Sequence, residues 1–472
     1  MGLEPRPLGW RARLPTGGEG QLNPEIFREY DIRGIVGEDF HLDEMELFGR
    51  GYGTYLAARG GRSVAVGRDC RLSSPQIRDM VVKGLLASGM DVVDVGMCPT
   101  PVLYFAIRHL GLDGGLMITA SHNPPQYNGF KVCVGPETIF GGELRELRRV
   151  TEAGRFSSGR GTLSSFDILA PYCARLCEDI KLDRPVKLGV DAGNGTAGLS
   201  AGPVLKALGC EVRELFMEPD GRFPNHDPDP TVLENLSRLR EVVLEEGLEL
   251  GIAFDGDGDR LGVVDHRGEV IPGDMLMVIF ARDILKSRPG AVFIGEVKCS
   301  QRMYDEIAAL GGRPIMWKTG HSLIKSKMKE EGAVLAGEMS GHLFFADRYF
   351  GYDDGLYAAC RLLEILSRGR RALSSYLQGL APAVATPEIR VPCPEGRKFK
   401  VVERARELLK ENHQVIEIDG VRVLFHDGWG LVRASNTSPV LVLRFEASNT
   451  ERLEQIRALV QRAVQEAMGE GG

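Results

Sequence analysis

The segment Asp255-Gly256-Asp257-Gly258-Asp259-Arg260 carries three carboxylates at alternate positions with glycines between them. In an extended chain, residues i, i+2 and i+4 project to one side, and glycine lets the backbone curl around whatever sits there. Anions clustered in this way repel one another unless a cation neutralises them. Hard oxygen ligands with coordination positions left open suit Mg²⁺ working beside a phosphate. An EF-hand fits poorly, because Arg260 stands where its glycine belongs and His266 where its glutamate belongs. A solvated acidic turn is the plain alternative. The apolar run leading directly into the loop favours the metal.

Other segments carry reactive groups with less definite meaning. In Thr119-Ala120-Ser121-His122-Asn123-Pro124, Ser121 offers a nucleophile or phosphoryl carrier beside His122, although Asn-Pro also makes an ordinary turn. No GxSxG elbow accompanies the serine, so an α/β-hydrolase triad is not indicated. Glu338-Met339-Ser340-Gly341-His342 combines an acceptor, a hydroxyl and an imidazole, a set suited to sugar hydroxyls but equally at home in a polar loop. Arg433-Ala434-Ser435-Asn436-Thr437-Ser438-Pro439 is either an anion nest or a cluster of caps and turns. Arg28-Glu29-Tyr30-Asp31-Ile32-Arg33-Gly34 is a dense polar cluster with no role legible locally. Lys298 and Lys318-Thr319-Gly320-His321 fall at the ends of predicted strands.

The elements that must position these groups recur three times. The first copy has a strand over 63–69, a helix over 74–87, and strands over 91–95 and 115–119. The second has strands over 186–193, 210–215 and 249–254, with helices near 198–208 and 231–246. The third has strands over 291–297, 313–317 and 333–337, with a helix near 302–310. Apolar runs of this length bounded by glycine predict strands buried on both faces, with helices layered over them. The third strand of each copy runs into TASHNPP, DGDGDR or EMSGH. Ligands of open α/β sheets collect beyond the carboxyl ends of strands, so three such units would share one cleft. After Leu380 a Pro-containing stretch reads as linker and edge strand. A smaller α+β unit follows, with helices over 399–412 and 450–468 and strands near 421–425, 431–434 and 440–447.

The chain has 472 residues, enough for several domains. Its 58 basic against 65 acidic side chains give a net charge of −7, which argues against general nucleic-acid or anionic-membrane binding. The longest apolar run, 275–281, is far short of the ~20 residues a membrane helix needs. The first residues are rich in Pro, Gly and Arg without an apolar stretch. They read as a flexible extension, and nothing directs the chain out of the cytoplasm. Nine cysteines without CxxC spacing read as free, mostly buried thiols.

Taken in order, REYDIRG (28–34), TASHNP (119–124), DGDGDR (255–260), GEMSGH (337–342) and RASNTSP (433–439) resemble the motifs of the α-D-phosphohexomutase family, of the bacterial phosphomannomutase/phosphoglucomutase type. The resemblance implies an α/β fold: three related α/β domains with mixed sheets plus a smaller C-terminal α+β domain, around a central active-site cleft. On this sequence the units would be a flexible extension (1–22), a phosphoserine domain (23–166), a metal-binding domain (167–269), a sugar-binding domain (270–381) and a phosphate-binding domain (382–472). It further implies that Ser121 carries a phosphoryl group, and that Asp255, Asp257 and Asp259 bind Mg²⁺ together with an oxygen of that group. Glu338, Ser340 and His342 would read the sugar. Arg433, Ser435, Asn436 and Thr437 would clamp the non-reacting phosphate. Tyr30, Arg33, Lys131, Arg260, Lys298 and His321 match cleft positions, with Lys131 and His321 as candidates for the general base.

The activity so implied is reversible phosphoryl transfer between the 1- and 6-positions of mannose and glucose phosphates, with hexose 1,6-bisphosphate as intermediate and activator. Such an enzyme would be cytoplasmic, with a monomer as its expected form, and would feed nucleotide-sugar synthesis. Phosphoglucosamine mutases of the family typically read GEQSGH, and Met339 here favours the substrates with an uncharged 2-hydroxyl. A metal-dependent sugar phosphatase and a non-catalytic sugar-phosphate binder are the alternatives from other classes.

Overall fold

The runs that read as strands form strands, and among the described residues they assemble into four sheets. The computed structural model describes residues 22–39, 41–436 and 438–469. Of the extension expected over 1–22, all but Leu22 lies outside the described residues, and Leu22 itself is buried.

The first three sheets share one topology. Ser63–Arg68, Lys187–Asp191 and Val292–Glu296 each lie between two parallel neighbours. On one side stand Asp91–Met97, Glu211–Leu215 and Arg313–Trp317, and on the other Gly114–Ile118, Leu250–Phe254 and Leu335–Gly337. This last set is buried along its whole length, as strands covered on both faces must be. Each then turns back into an antiparallel partner, which makes the three sheets mixed as expected, although the runs themselves were not singled out: Tyr127–Val134, Leu261–Asp265 and Leu343–Phe345. The polar loops between these pairs are therefore hairpin connections, anchored by the ladder on both sides.

The first sheet gains Ile32–Ile35, which pairs antiparallel with Tyr127–Val134 and so draws the N-terminal polar cluster to the same edge. Leu163–Ser165 closes its far side. One apolar core runs through the first three units. It takes Val102 and Phe105 from the helix Thr100–His109, Leu276 and Phe280 from Gly273–Ser287, and Leu362 and Ile365 from Gly355–Ser367. The C-terminal unit has its own core, where Lys398–Lys410 and Thr450–Gly469 cover an antiparallel six-stranded sheet. Its Pro-containing entry belongs to that sheet, because Val384–Ala385 and Ile389–Pro392 both pair with Val440–Ala447.

Two expected helices are broken. The one near 198–208 is a 3₁₀ turn, Thr196–Leu199, followed by Ala201–Ala207. The one over 231–246 starts late, as a 3₁₀ turn Leu233–Leu236 and then Ser237–Glu245. There the Asp229 carboxylate accepts from both the amide and the hydroxyl of Thr231, an Asx turn that competes with helix. All nine cysteines are free. No helix among the described residues is long and apolar enough to cross a membrane.

Candidate active site

Ser121 and the aspartate loop meet face to face. Ser121 Oγ donates to Asp255 Oδ2 at 2.7 Å and lies 3.0 Å from His122 Nδ1. The meeting requires Gly256, because a Cβ there would stand 2.5 Å from the Ser121 carbonyl oxygen. It also requires Gly258, which adopts φ +74°. Ser121 itself sits in the left-handed region, at φ +49°, a conformation that costs a non-glycine residue about 1–2 kcal/mol.

What holds it there is Arg71, fully buried and overlooked in the sequence reading. Its Nη1 donates to the carbonyls of Pro124 (2.6 Å) and Tyr127 (3.1 Å), and its Nη2 to those of Ser121 (2.9 Å) and Asn123 (2.6 Å). Asp69 balances its charge through Nε at 3.0 Å. The serine loop is thus wrapped around one guanidinium.

Asp255, Asp257 and Asp259 are completely buried, and one ligand atom from each lies within 4.8 Å of the others. Backbone amides of Asp259 and Arg260 donate to Asp255 Oδ1. Thr100 Oγ1 donates to Asp257 Oδ2 at 2.6 Å. Lys131 Nζ, reaching over from the first sheet, pairs with Asp257 at 2.8 Å and also with Asp259. Burial, and then the Asp259 and Asp257 charges, push Asp255 well above the usual carboxylate range, whereas Lys131 holds Asp257 below it despite burial. Asp257 Oδ1 and Asp259 Oδ1 are buried without a hydrogen-bond partner. Oxygens that are buried, mutually repelling and partly unpartnered fit a hard divalent cation. The carboxylates in turn hold Lys131 protonated, above an ordinary lysine, even though burial opposes its charge.

The third unit supplies imidazoles. His342 Nε2 accepts from Arg260 Nε at 3.0 Å, while Arg260 Nε also lies 3.9 Å from Asp255 Oδ2. His321 begins the helix His321–Glu331 and stacks on His342 with ring centroids 5.7 Å apart. Burial, and then the Lys325 charge, keep His321 well below the usual histidine range, so it is neutral.

The far end of the cleft is built from smaller sets of one or two contacts each. Glu338 accepts from the Gly320 amide (2.8 Å) and from Ser340 Oγ (3.1 Å). Lys298 Nζ pairs with Glu388 (2.5 Å) and Glu296 (3.4 Å), and Arg433 Nε with Asp419 (3.0 Å). Tyr30 Oη donates to the Thr319 carbonyl at 2.9 Å and accepts from Asn436 Nδ2. Arg33 reaches Asn123 Oδ1 (2.8 Å), which joins the N-terminal cluster to the serine loop. Ser435 Oγ accepts from the Ser438 amide. Thr437 lies outside the described residues. Besides Arg71, the sequence reading missed Thr100, Glu296, Asp353, Glu388 and Asp419. None belongs to a spaced motif, although Glu296 lies two residues before Lys298 and Asp353 eleven residues after His342.

Comparison with known proteins agrees with this arrangement. Family profiles described as phosphoglucomutase/phosphomannomutase α/β/α domains I, II and III match residues 24–149, 170–268 and 272–384, and that of the C-terminal domain matches 388–463. The chain is 49% identical over 449 residues to a phosphomannomutase/phosphoglucomutase of Pseudomonas aeruginosa, covering 95% of this chain and 96% of that protein. It is 46% identical over 441 residues to a phosphoglucomutase of Neisseria gonorrhoeae, covering 92% and 96%. A crystal structure of a phosphoglucomutase/phosphomannomutase family protein from Burkholderia thailandensis superposes with a TM-score of 0.89 at 46% identity, covering 94% and 98%. With matching profiles along most of its length, the chain belongs to the phosphoglucomutase/phosphomannomutase family.

Proposed function

We propose that this chain is a hexose-phosphate mutase. It moves a phosphoryl group reversibly between the 1- and 6-positions of mannose and glucose phosphates, through phosphorylated Ser121 and a hexose 1,6-bisphosphate. The observation that carries this reading is Ser121 Oγ at 2.7 Å from Asp255, with a buried three-carboxylate loop on one side and Arg260 and Lys131 beside it. The division of labour follows the four units: phosphoserine over 23–166, metal over 167–269, sugar over 270–381 and phosphate over 382–472.

In the first half-reaction the bond between phosphorus and Ser121 Oγ breaks as the free hydroxyl of a hexose monophosphate forms a new one, and the hydroxyl proton leaves to a base. The bisphosphate turns around, and its other phosphoryl group returns to Ser121. Asp255, Asp257 and Asp259, with an oxygen of phosphorylated Ser121, would hold Mg²⁺, which supplies charge neutralisation at the transferring group. Arg260 and Lys131 add fixed positive charge, and Lys131, held as an ammonium, acts through that charge. His321 is neutral and at the cleft, so it is the proton acceptor we assign. Glu338 and Ser340 receive sugar hydroxyls. Arg433, Ser435, Asn436 and Thr437 hold the phosphate that is not reacting, with Tyr30, Arg33 and Lys298 lining the path between the two ends.

The test is a parallel assay of mannose 1-phosphate, glucose 1-phosphate and glucosamine 1-phosphate with Mg²⁺ and trace hexose 1,6-bisphosphate. Formation of 6-phosphates from the first two is expected. Preference for the glucosamine ester would make the chain a phosphoglucosamine mutase. Release of inorganic phosphate without isomer would make it a phosphatase.

A further inference from the structure

Thr319 is held by three units at once. Its amide donates to Asp419 Oδ2 of the C-terminal unit at 3.1 Å, and its carbonyl accepts from Tyr30 Oη of the first unit at 2.9 Å. Its hydroxyl donates to Glu296 Oε2 of its own unit at 2.5 Å. The next amide, that of Gly320, goes to Glu338 in the sugar loop at 2.8 Å. The contact through Asp419 also reaches the clamp, because the same Oδ2 accepts from Arg433 Nε at 3.0 Å.

Asp419 lies in the turn between the antiparallel strands Gln414–Ile416 and Val421–Phe425. Arg433 stands on the next strand, Gly428–Ala434. The turn is pressed onto that strand so closely that a Cβ at Gly420 would stand 2.3 Å from the Val432 carbonyl oxygen. Both side chains of the pair are largely shielded, at 16% exposed for Asp419 and 6% for Arg433. Their hydrogen bond is single, at Nε, where a two-pronged pairing would occupy a terminal nitrogen as well. A guanidinium gripped in this way is fixed in direction and can still present its terminal nitrogens to a phosphate. The carboxylate has a second, opposing effect. It is an anion placed beside a site for an anion, so it weakens the grip that it aims.

We infer that Asp419 is a positioning residue for the clamp: one oxygen orients Arg433 and ties it to the third unit's loop, while its charge limits how tightly the clamped phosphate is held. The inference rests on the mutase reading, in which Arg433 meets the phosphate that is not reacting and must later let it go.

Binding tests it on the full-length protein. Ser121→Ala stops turnover, so calorimetry with glucose 1-phosphate in that background reads binding alone. Asp419→Asn keeps an oxygen for Nε and for the Thr319 amide but removes the charge. It should tighten binding about two- to tenfold, as expected for one shielded like charge removed. Asp419→Ala loses the orientation as well and should weaken binding about three- to tenfold. A merely structural residue would weaken binding in both variants. That result, or unchanged binding in Asp419→Asn, overturns the inference, and the asparagine variant decides the matter even if the alanine variant fails to fold. With Ser121 restored, Asp419→Asn should lower the bisphosphate released per product formed; a rise overturns the inference. If the Ser121→Ala protein binds no glucose 1-phosphate at all, the mutase reading falls and this inference with it. Normal binding there that Asp419→Asn weakens removes the inference alone.

Discussion

The two ends of the cleft are built on opposite plans. At the chemical end, Asp255, Asp257 and Asp259 are sealed from solvent and tied across units by Ser121, Thr100 and Lys131. At the clamp end, each cation has its own carboxylate: Arg433 has Asp419, and Lys298 has Glu296 and, across the unit boundary, Glu388. The first arrangement fixes reacting atoms, which suits a step where small misplacement is costly. The second lets a phosphate leave without stranding a buried charge, since each cation already has a carboxylate partner. An intermediate that must turn over inside the site needs both properties, one at each end.

The largest effect should come from the chemical end. Ser121→Ala should reduce phosphoryl label on the protein to background after incubation with labelled hexose 1,6-bisphosphate; label persisting elsewhere would displace Ser121 from its role. Asp257→Asn removes one charge and leaves Lys131 with fewer partners. Turnover should drop on the order of 10²–10³-fold with the far-UV circular dichroism unchanged, and near-normal turnover would remove the metal assignment.

The clamp end should fail differently. Arg433→Ala should raise KM by roughly ten- to a hundredfold and increase the bisphosphate released per product formed. If that ratio stays at the wild-type value while kcat alone falls, Arg433 serves the transfer and the contrast between the ends collapses. The smallest effect concerns Glu388, whose carboxyl Lys298 depresses to about 2 against the opposing effect of burial. A depressed carboxylate stabilises fully above its ordinary value of about 4.3 and loses that contribution as pH falls through the folded value. Melting temperatures should therefore decline less steeply in Glu388→Gln than in wild type as pH falls below about 4.3; parallel declines would show the pair to be energetically idle.

Most of this contrast was beyond the reach of the sequence. The strands entering the three loops announced themselves by short apolar runs ended by glycine, and DGDGDR by charge crowding alone. The strands leaving the loops were harder. Tyr127–Val134 carries Asn128 and Lys131 in a buried stretch, and Leu343–Phe345 is too brief to display alternation. The helix Gly273–Ser287 is buried nearly all round, so it lacks the polar face that reveals a helical period. Arg71 and Asp419 matter through partners tens to hundreds of positions away or through a fold-dependent turn, and single-sequence spacing carries no record of such pairs.

Lys131 links more than two side chains. It sits in the first unit and neutralises carboxylates of the second, 126 and 128 positions further along. A buried charge cluster deprived of its counter-charge is strongly destabilising. The aspartate loop of the second unit therefore cannot reach its final form until the first has folded against it, although the apolar strands around it need no such help. During synthesis the first unit emerges well before the loop does, so a finished partner awaits the acidic segment. Assembly order, and not only catalysis, is written into that one ammonium.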